Sequence, residues 1–207
     1  MPILVSALKC DEYSKEKLSS AVSEAVSESG GFPENLSMAK KILLKPNLLS
    51  ARPPEECVTT HPEFVRAVIC EIHKINNNVE IFLGDSPAGD YSWNELWEKT
   101  GMKKVAEDEK ISLLPFENLA LVELPGIGTI PVLKEISEFD MIINLPKLKT
   151  HMLTKITGAV KNVFGLVPGN AKSGFHGRFP SPSAISDFLA TFYCKFPTDF
   201  TIMDAVV

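Results

Sequence analysis

The 207-residue chain has few cysteines and no long apolar run. Its four cysteines are widely spaced and form no Cys-x-x-Cys pair: Cys10, Cys57, Cys70 and Cys194. This spacing argues against an iron–sulfur cluster, a zinc ribbon or a disulfide framework. The longest apolar runs are too short to cross a bilayer, and the N-terminus lacks the basic and apolar regions of a signal peptide. We therefore expect a cytoplasmic protein with reduced thiols and no membrane partner.

Acidic residues are missing from one long stretch of the chain. The net charge is −5, yet the 46 residues between Asp140 and Asp187 contain no carboxylate, where about six would be expected from the average frequency. Six cations lie in that stretch: Lys147, Lys149, Lys155, Lys161, Lys172 and Arg178. Because the rest of the chain is acidic, a general nucleic-acid binder is disfavoured and a local anion site is favoured.

The apolar pattern predicts an α/β fold. Hydrophobic residues make up 44% of the chain and charged residues 23%, as in an ordinary globular domain. Continuous apolar runs, typical of parallel strands buried on both faces, occur at 42–44, 81–83, 141–143 and 200–203. Helical patterns separate these runs: 14–29, a capping box from Thr60, a second from Ser92, and a helix from Ser181.

These elements predict one three-layer domain over residues 1–207, with a mostly parallel sheet flanked by helices and a β-ribbon inserted around residues 119–134. Residues 165–182 contain four glycines and three prolines without clear periodicity. We expect this segment to be a long connection, either a functional lid or a mobile loop.

Polar residues follow the apolar runs. Lys45-Pro-Asn47 follows the first run, Gly84-Asp-Ser-Pro87 the second, the segment 144–151 the third, and Asp204 the fourth. Ligands of open α/β sheets bind outside the carboxyl ends of the strands, so this recurrence favours a binding site there. The alternative is that strand-to-helix turns simply favour such residues for capping.

The segment 144–169 is the densest in candidate functional residues. We expect a helix over Leu153–Phe164 with Ile156, Val160, Val163 and Phe164 packed inward, preceded by a turn at Lys149–His151 where helix N–H groups favour an anion. The segment is not a P-loop, and Ser86 lacks the frame of a nucleophile elbow. The alternative is a solvated lysine-rich loop.

The candidate roles follow from side-chain chemistry. His151 titrates near neutral pH and is a candidate general acid or base, and Lys161 is the second candidate catalytic residue. The expected anion-binding residues are Lys45, Asn47, Asp85, Ser86, Asn144, Lys147, Lys149, Thr150 and Asn162. A metal held by His151, His176 and Asp85 is a weaker hypothesis, because no ligand spacing fixes it.

Several stretches resemble the family called domain of unknown function 362. They are Lys45–Asn47, Thr59–Pro62, Gly84–Pro87, Asn144–His151, Thr157–Asn162, Phe164-Gly165 and Pro168-Gly169. Many relatives are labelled iron–sulfur proteins because they carry an appended ferredoxin-like cysteine module. That module is absent here, so we expect no iron–sulfur cluster in this chain. Relatives continue beyond the last strand, which implies a chain truncated at its C-terminus.

A fainter similarity links the chain to the N-terminal domain of nickel-pincer lactate racemases. His151, Lys161 and Pro168-Gly169 occur in the same order as a proton-moving histidine, a cofactor-binding lysine and a Pro-Gly there, although Ala159-Val160 replaces that family's Gly-Gly.

The sequence supports two hypotheses about function. The chain is an enzyme that binds a small anionic substrate or nucleotide-like cofactor, or it is a non-catalytic or redox accessory module that works with a ferredoxin-like partner or missing domain. The reaction and the oligomeric state stay open.

Overall fold

A computed structural model describes residues 4–206, apart from the side chains of Ser173 and His176. The strands are β1 (Lys41–Pro46), β2 (Glu80–Leu83), β3 (Ser112–Leu113), β4 (Leu119–Leu124), β5 (Gly128–Leu133), β6 (Met141–Leu145), β7 (Lys149–His151), β8 (Lys155–Thr157) and β9 (Phe200–Thr201). The α-helices are α1 (Lys15–Glu28), α2 (Pro62–Ile75), α3 (Trp93–Lys99), α4 (Met102–Glu109), α5 (Ala159–Val163), α6 (Gly169–Arg178) and α7 (Pro182–Lys195). Short 3-10 helices span 34–38, 54–56, 134–138 and 164–166.

The central sheet is parallel, with the strand order β3-β2-β1-β6-β9. The chain runs outward from β1 to β3 and then returns to the other side of β1 with β6 and β9. The strand order therefore reverses between β1 and β6, which is the topological switch point where open α/β sheets bind ligands. In the register of these two strands, Lys45 pairs with Asn144.

Apolar side chains on the two faces of the sheet form two cores. Ile42 and Leu44 of β1 face the layer built on α1 and α2, because alternate residues of a strand point to opposite faces. Leu43 and Ile142 face the second layer, which contains α5, α7 and the antiparallel ribbon β4–β5. The predicted three-layer α/β architecture with an inserted ribbon is confirmed.

The start of α2 differs from the predicted capping box. The cap is His61, whose Nδ1 accepts a hydrogen bond from the Glu63 N–H at 3.2 Å. The Thr60 hydroxyl instead accepts from the Asn47 N–H at 2.8 Å and donates to the Leu145 carbonyl at 2.7 Å. This threonine thus ties together the carboxyl ends of β1 and β6.

The helix predicted over Leu153–Phe164 is wrong for most of its length. An antiparallel hairpin, β7–β8, occupies the first part, with Lys155 in a left-handed conformation at φ 66°. Only the five residues of α5 are α-helical, and a 3-10 turn follows. Ile156 and Val160 are 58% and 43% exposed, whereas Val163 and Phe164 are buried as expected.

The predicted long connection over residues 165–182 contains the helix α6. This helix has almost no amphipathic pattern, so the sequence gives no helical periodicity to detect. Packing holds it instead, since the Phe175 ring meets Phe164 edge-on and stacks on Phe188. Within residues 4–206, no helix is both long enough and apolar enough to span a bilayer.

Candidate functional site

A buried ion pair lies at the carboxyl ends of β1 and β2. Lys45 is fully buried, and its Nζ donates to Asp85 Oδ1 at 2.7 Å and to the Pro46 carbonyl at 3.2 Å. The second carboxylate oxygen, Oδ2, accepts the Leu48 N–H at 2.7 Å. Because β1 and β2 are adjacent and parallel, residues just beyond their ends meet at one edge. Both oxygens of Asp85 are therefore engaged within the protein.

Gly165 packs directly against this ion pair. A Cβ atom at this position would overlap the Asp85 carboxylate and the Lys45 ammonium group, and it would lie 2.9 Å from Lys45 Cε. The Gly165 carbonyl also accepts the Ser86 N–H at 3.3 Å. The 3-10 turn after α5 thus covers the pair, which explains the need for glycine at this position.

Three asparagines join α5 to the switch point. Asn162 Nδ2 donates to the Lys45 carbonyl at 3.0 Å and to Asn144 Oδ1 at 2.8 Å. Asn47 Nδ2 donates to Asn162 Oδ1 at 3.0 Å, and Asn144 Nδ2 donates to the Ala159 carbonyl at 3.0 Å. These amides hydrogen-bond to one another and to the backbone, so they position α5 against the ends of β1 and β6.

Three further lysines surround the pair. Lys149 Nζ donates to Asn47 Oδ1 at 2.6 Å and to the Val58 carbonyl, and Lys172 Nζ donates to the Ser86 carbonyl. Lys161 lies within electrostatic range of Asp85 and Lys45 but donates no hydrogen bond to any residue in the described part of the chain. We call Lys45, Asp85, Lys149, Lys161 and Lys172 the lysine cluster.

The lysine cluster holds more positive charge than its one carboxylate balances. Burial, with the positive charge of Lys161 added, lowers the pKa of Lys149 to about 8, against a smaller opposing effect of Asp85. Burial likewise lowers the pKa of Lys172 to about 8; Asp85 opposes this, and Lys45 and Lys161 add to it. The pKa of Lys161 is also lowered, by burial first. Desolvation and like charge both disfavour an ammonium ion, so a bound anion would relieve both.

Lys147 belongs to a separate cluster. It is buried, and its Nζ donates to the Tyr13 hydroxyl at 2.6 Å, to the Val206 carbonyl at 2.6 Å and to Asp204 Oδ1 at 3.1 Å. An ammonium group has three protons, so all its donors are used. We call Lys147, Asp204, Tyr13 and Val206 the Asp204 cluster; Lys147 donates its hydrogen bonds here and not within the lysine cluster.

The Asp204 cluster also fixes the start of α2. Asp204 Oδ2 accepts the His61 N–H at 2.9 Å, and the rings of Tyr13 and His61 stack with centroids 3.7 Å apart. Burial and the Asp204 carboxylate raise the pKa of Tyr13, so this hydroxyl stays protonated. His61 therefore has a structural role at the start of α2.

The remaining candidates are less central. His151 Nδ1 accepts the Leu153 and Thr154 N–H groups at 3.2 Å each, so it organises the turn of the β7–β8 hairpin. Thr150 is exposed on β7, and Ser86 is buried beside Asp85.

The His176 side chain lies outside the described residues, so the metal hypothesis is untested. Among the described residues no group of three His, Cys, Asp or Glu side chains is arranged to hold a metal.

Two cluster members carried weak sequence signals. In the sequence, Lys172 is one of the six cations of the acid-free stretch, and Gly165 begins the predicted long connection and belongs to one of the stretches that resemble the family. Their neighbours Ser86 and Asp85 are about 80 residues away in sequence, so no local pattern links them. The acid-free stretch was the signal that pointed toward Lys172.

The parallel sheet, its switch point and the cluster of lysines define an open α/β protein with a cationic site at the strand ends. The chain belongs to the family described as Domain of unknown function (DUF362), which matches residues 42–207.

Two proteins show how far the likeness extends. The thylakoid-associated protein sll1697 of Synechocystis is 33% identical over 174 residues, covering 83% of this chain and 53% of that protein. The lactate racemase apoprotein of Thermoanaerobacterium thermosaccharolyticum superposes with a TM-score of 0.53 at 17% identity, covering 82% of this chain and 41% of the racemase. At that identity the second match shows the fold alone. The chain spans about half the length of the Synechocystis relative.

Proposed function

We propose that the protein is an enzyme that binds a small phosphate- or carboxylate-bearing substrate or cofactor at the carboxyl ends of β1, β2 and β6. The observation that carries this proposal is Lys161: it is half-buried among other lysines and donates no hydrogen bond within the described chain. Burial lowers the pKa of Lys161, because partial removal of an ammonium ion from water without an acceptor is unfavourable. A ligand anion at this position would supply the missing acceptor.

The charge balance of the lysine cluster supports the same conclusion. Asp85 already accepts hydrogen bonds from Lys45 and from the Leu48 N–H, one at each oxygen. It therefore attracts the other lysines only from a distance. Three more ammonium groups lie in the field of this one paired carboxylate, and a bound anion would reduce the surplus of positive charge at the topological switch point, where α/β proteins bind ligands.

The lowered pKa values suggest what the site can do with a bound anion. At neutral pH, an amine with a pKa of about 8 is mostly protonated, but it releases its proton far more readily than an ordinary lysine. Lys149 and Lys172 are therefore suited to transfer protons to or from a ligand. His151 remains a predicted acid or base, and the reaction type is open. The accessory-module hypothesis also remains a prediction, without an observation in the described chain that favours it.

Calorimetric titration with phosphate tests the proposal. Lys161→Ala is expected to weaken binding at least tenfold, on the scale of a charge-assisted hydrogen bond. The matched control is Lys195→Ala, which removes the same charge from an exposed position in the last turn of α7. Circular dichroism and urea unfolding should show both variants folded. Equal phosphate affinity in Lys161→Ala and the parent protein, or no binding of phosphate, sulfate or small carboxylates by the parent, would refute the proposal.

A further inference from the structure

The lysines near the ends of β1 and β6 differ in the acceptors that they contact. Lys45 and Lys147 are buried, and their ammonium groups donate to a carboxylate and to backbone carbonyls. Lys149 is half-buried and donates to Asn47 Oδ1 at 2.6 Å and to the Val58 carbonyl. Hydrogen bonds of this kind favour the protonated amine. The fold therefore holds these three lysines as hydrogen-bond donors.

Lys161 differs from these three lysines. It is half-buried, so a small molecule can reach it from solvent, and it donates no hydrogen bond to any residue in the described part of the chain. Burial lowers the pKa of Lys161 against the opposing charge of Asp85, and the charge of Lys45 adds to the lowering. A desolvated lysine beside another cation is an activated nucleophile, because its neutral form has a free lone pair.

The backbone on the C-terminal side of Lys161 is anchored at the buried ion pair. The next residue, Asn162, donates from Nδ2 to the Lys45 carbonyl at 3.0 Å. Gly165, four residues after Lys161, packs against the Lys45 ammonium group and the Asp85 carboxylate. Residues four apart share one side of a helical segment, so Lys161 lies on the side of α5 that faces this pair.

Resting on the proposed function, we propose that Lys161 forms an imine with a ligand that carries an aldehyde or ketone group close to its phosphate or carboxylate. The anionic group brings the ligand to the lysine cluster, where the nitrogen of Lys161 attacks the carbonyl carbon. A carbon–nitrogen double bond then replaces the carbon–oxygen double bond. The oxygen leaves as water with the two protons of the neutral amine, so the step needs no oxidant or reductant.

Reductive trapping with glycolaldehyde phosphate tests this inference. Sodium cyanoborohydride reduces an imine to a stable secondary amine, and mass spectrometry of the peptides locates the label. We expect Lys161 to be labelled at least tenfold faster than Lys195, which is an exposed lysine in the last turn of α7. Glycolaldehyde has the same aldehyde without the phosphate, and it should label Lys161 at least tenfold more slowly than glycolaldehyde phosphate.

Two variants separate the nucleophile from the charge. Lys161→Arg keeps a positive charge but forms no stable imine, so it should lose the fast labelling and lower phosphate affinity less than Lys161→Ala does. The matched control is Lys195→Arg, which should leave the labelling of Lys161 unchanged. Circular dichroism should show both variants folded.

Failure of this inference can be separated from failure of the proposed function. Labelling of Lys161 no faster than that of Lys195, with phosphate binding still sensitive to Lys161→Ala, would overturn the imine and leave the anion site intact. Equal labelling of Lys161 by the two aldehydes would also overturn it, because the anionic group would then have no part in the reaction. Binding of no anion by the folded parent protein would overturn both proposals.

Discussion

Two buried lysine–aspartate pairs lie at the same edge of the sheet and differ in how completely they are satisfied. In the Asp204 cluster, Lys147 uses all three ammonium protons on acceptors within the chain. In the lysine cluster, Lys45 pairs with Asp85, but three further lysines gather around the same carboxylate. In the first pair every ammonium proton of the lysine has an acceptor, whereas the second pair is surrounded by more positive charge than its carboxylate balances.

The comparison shows that burial of an ion pair does not by itself indicate a binding site. Both pairs are buried and both follow strand ends, so local sequence cannot separate them. The number of charges that share each carboxylate does separate them. The pair in the Asp204 cluster stabilises the fold, while the surplus of lysines around Asp85 supplies the positive charge that an anion site requires.

The largest effect is expected from breaking the pair between Lys147 and Asp204. Lys147→Met leaves the Asp204 carboxylate buried without its cation, and we expect it to lower the free energy of unfolding by about 3–5 kcal/mol. Lys45→Met should cost only about 1–2 kcal/mol, because Lys161 and Lys172 still provide positive charge near Asp85. Urea unfolding measures both values. Equal losses in the two variants would contradict the distinction between the clusters.

A smaller effect is expected from adding a side chain next to the pair between Lys45 and Asp85. Gly165→Ala places a methyl group against Asp85 and Lys45, and such overpacking costs about 1–3 kcal/mol. It should also abolish phosphate binding by displacing the pair. The control is Gly174→Ala in α6, where an added Cβ meets nothing within 4 Å and where alanine should stabilise the helix by up to about 1 kcal/mol. Calorimetry that shows normal phosphate binding by Gly165→Ala would contradict the proposed location of the site.

The smallest expected effect is a pH dependence confined to the lysine cluster. Lys149 and Lys172 have pKa values of about 8, and the charged groups that act on them are Asp85, Lys45, Lys147 and Lys161. Affinity for sulfate, whose charge is constant here, should fall roughly tenfold between about pH 7.5 and 9.5 as these amines lose protons. Affinity that stays constant over this range would show that neither lysine binds the anion.

The same lowered pKa values make the free energy of unfolding rise with pH, whereas the expected anion affinity falls with pH. Between about 8 and the ordinary lysine value of 10.5 the unfolded chain binds more protons than the folded protein. In the absence of ligand, the contribution of these two lysines to the free energy of unfolding therefore rises with pH across that window and is lost as the pH falls through about 8. Lys172→Gln should reduce this rise in urea unfolding measured at pH 7.5 and 10.

The sequence was sufficient to predict the layers of this fold and the sheet edge at which the polar residues after the strands meet. Continuous apolar runs mark parallel strands because both faces of such strands are buried. Polar residues after those runs mark the carboxyl ends, and the absence of acids over 141–186 marks the cationic side. These are local patterns, so they can be detected without knowing how the chain folds.

Only the tertiary structure decided which lysines share a carboxylate. Lys172 meets Ser86, Gly165 covers Asp85, and Lys147 joins Tyr13 through contacts between distant parts of the chain. The hairpin β7–β8 and the helix α6 were likewise not predictable, because long-range packing outweighs their weak local preferences. Whether a lysine is satisfied or still lacks an acceptor depends on neighbours that the fold supplies.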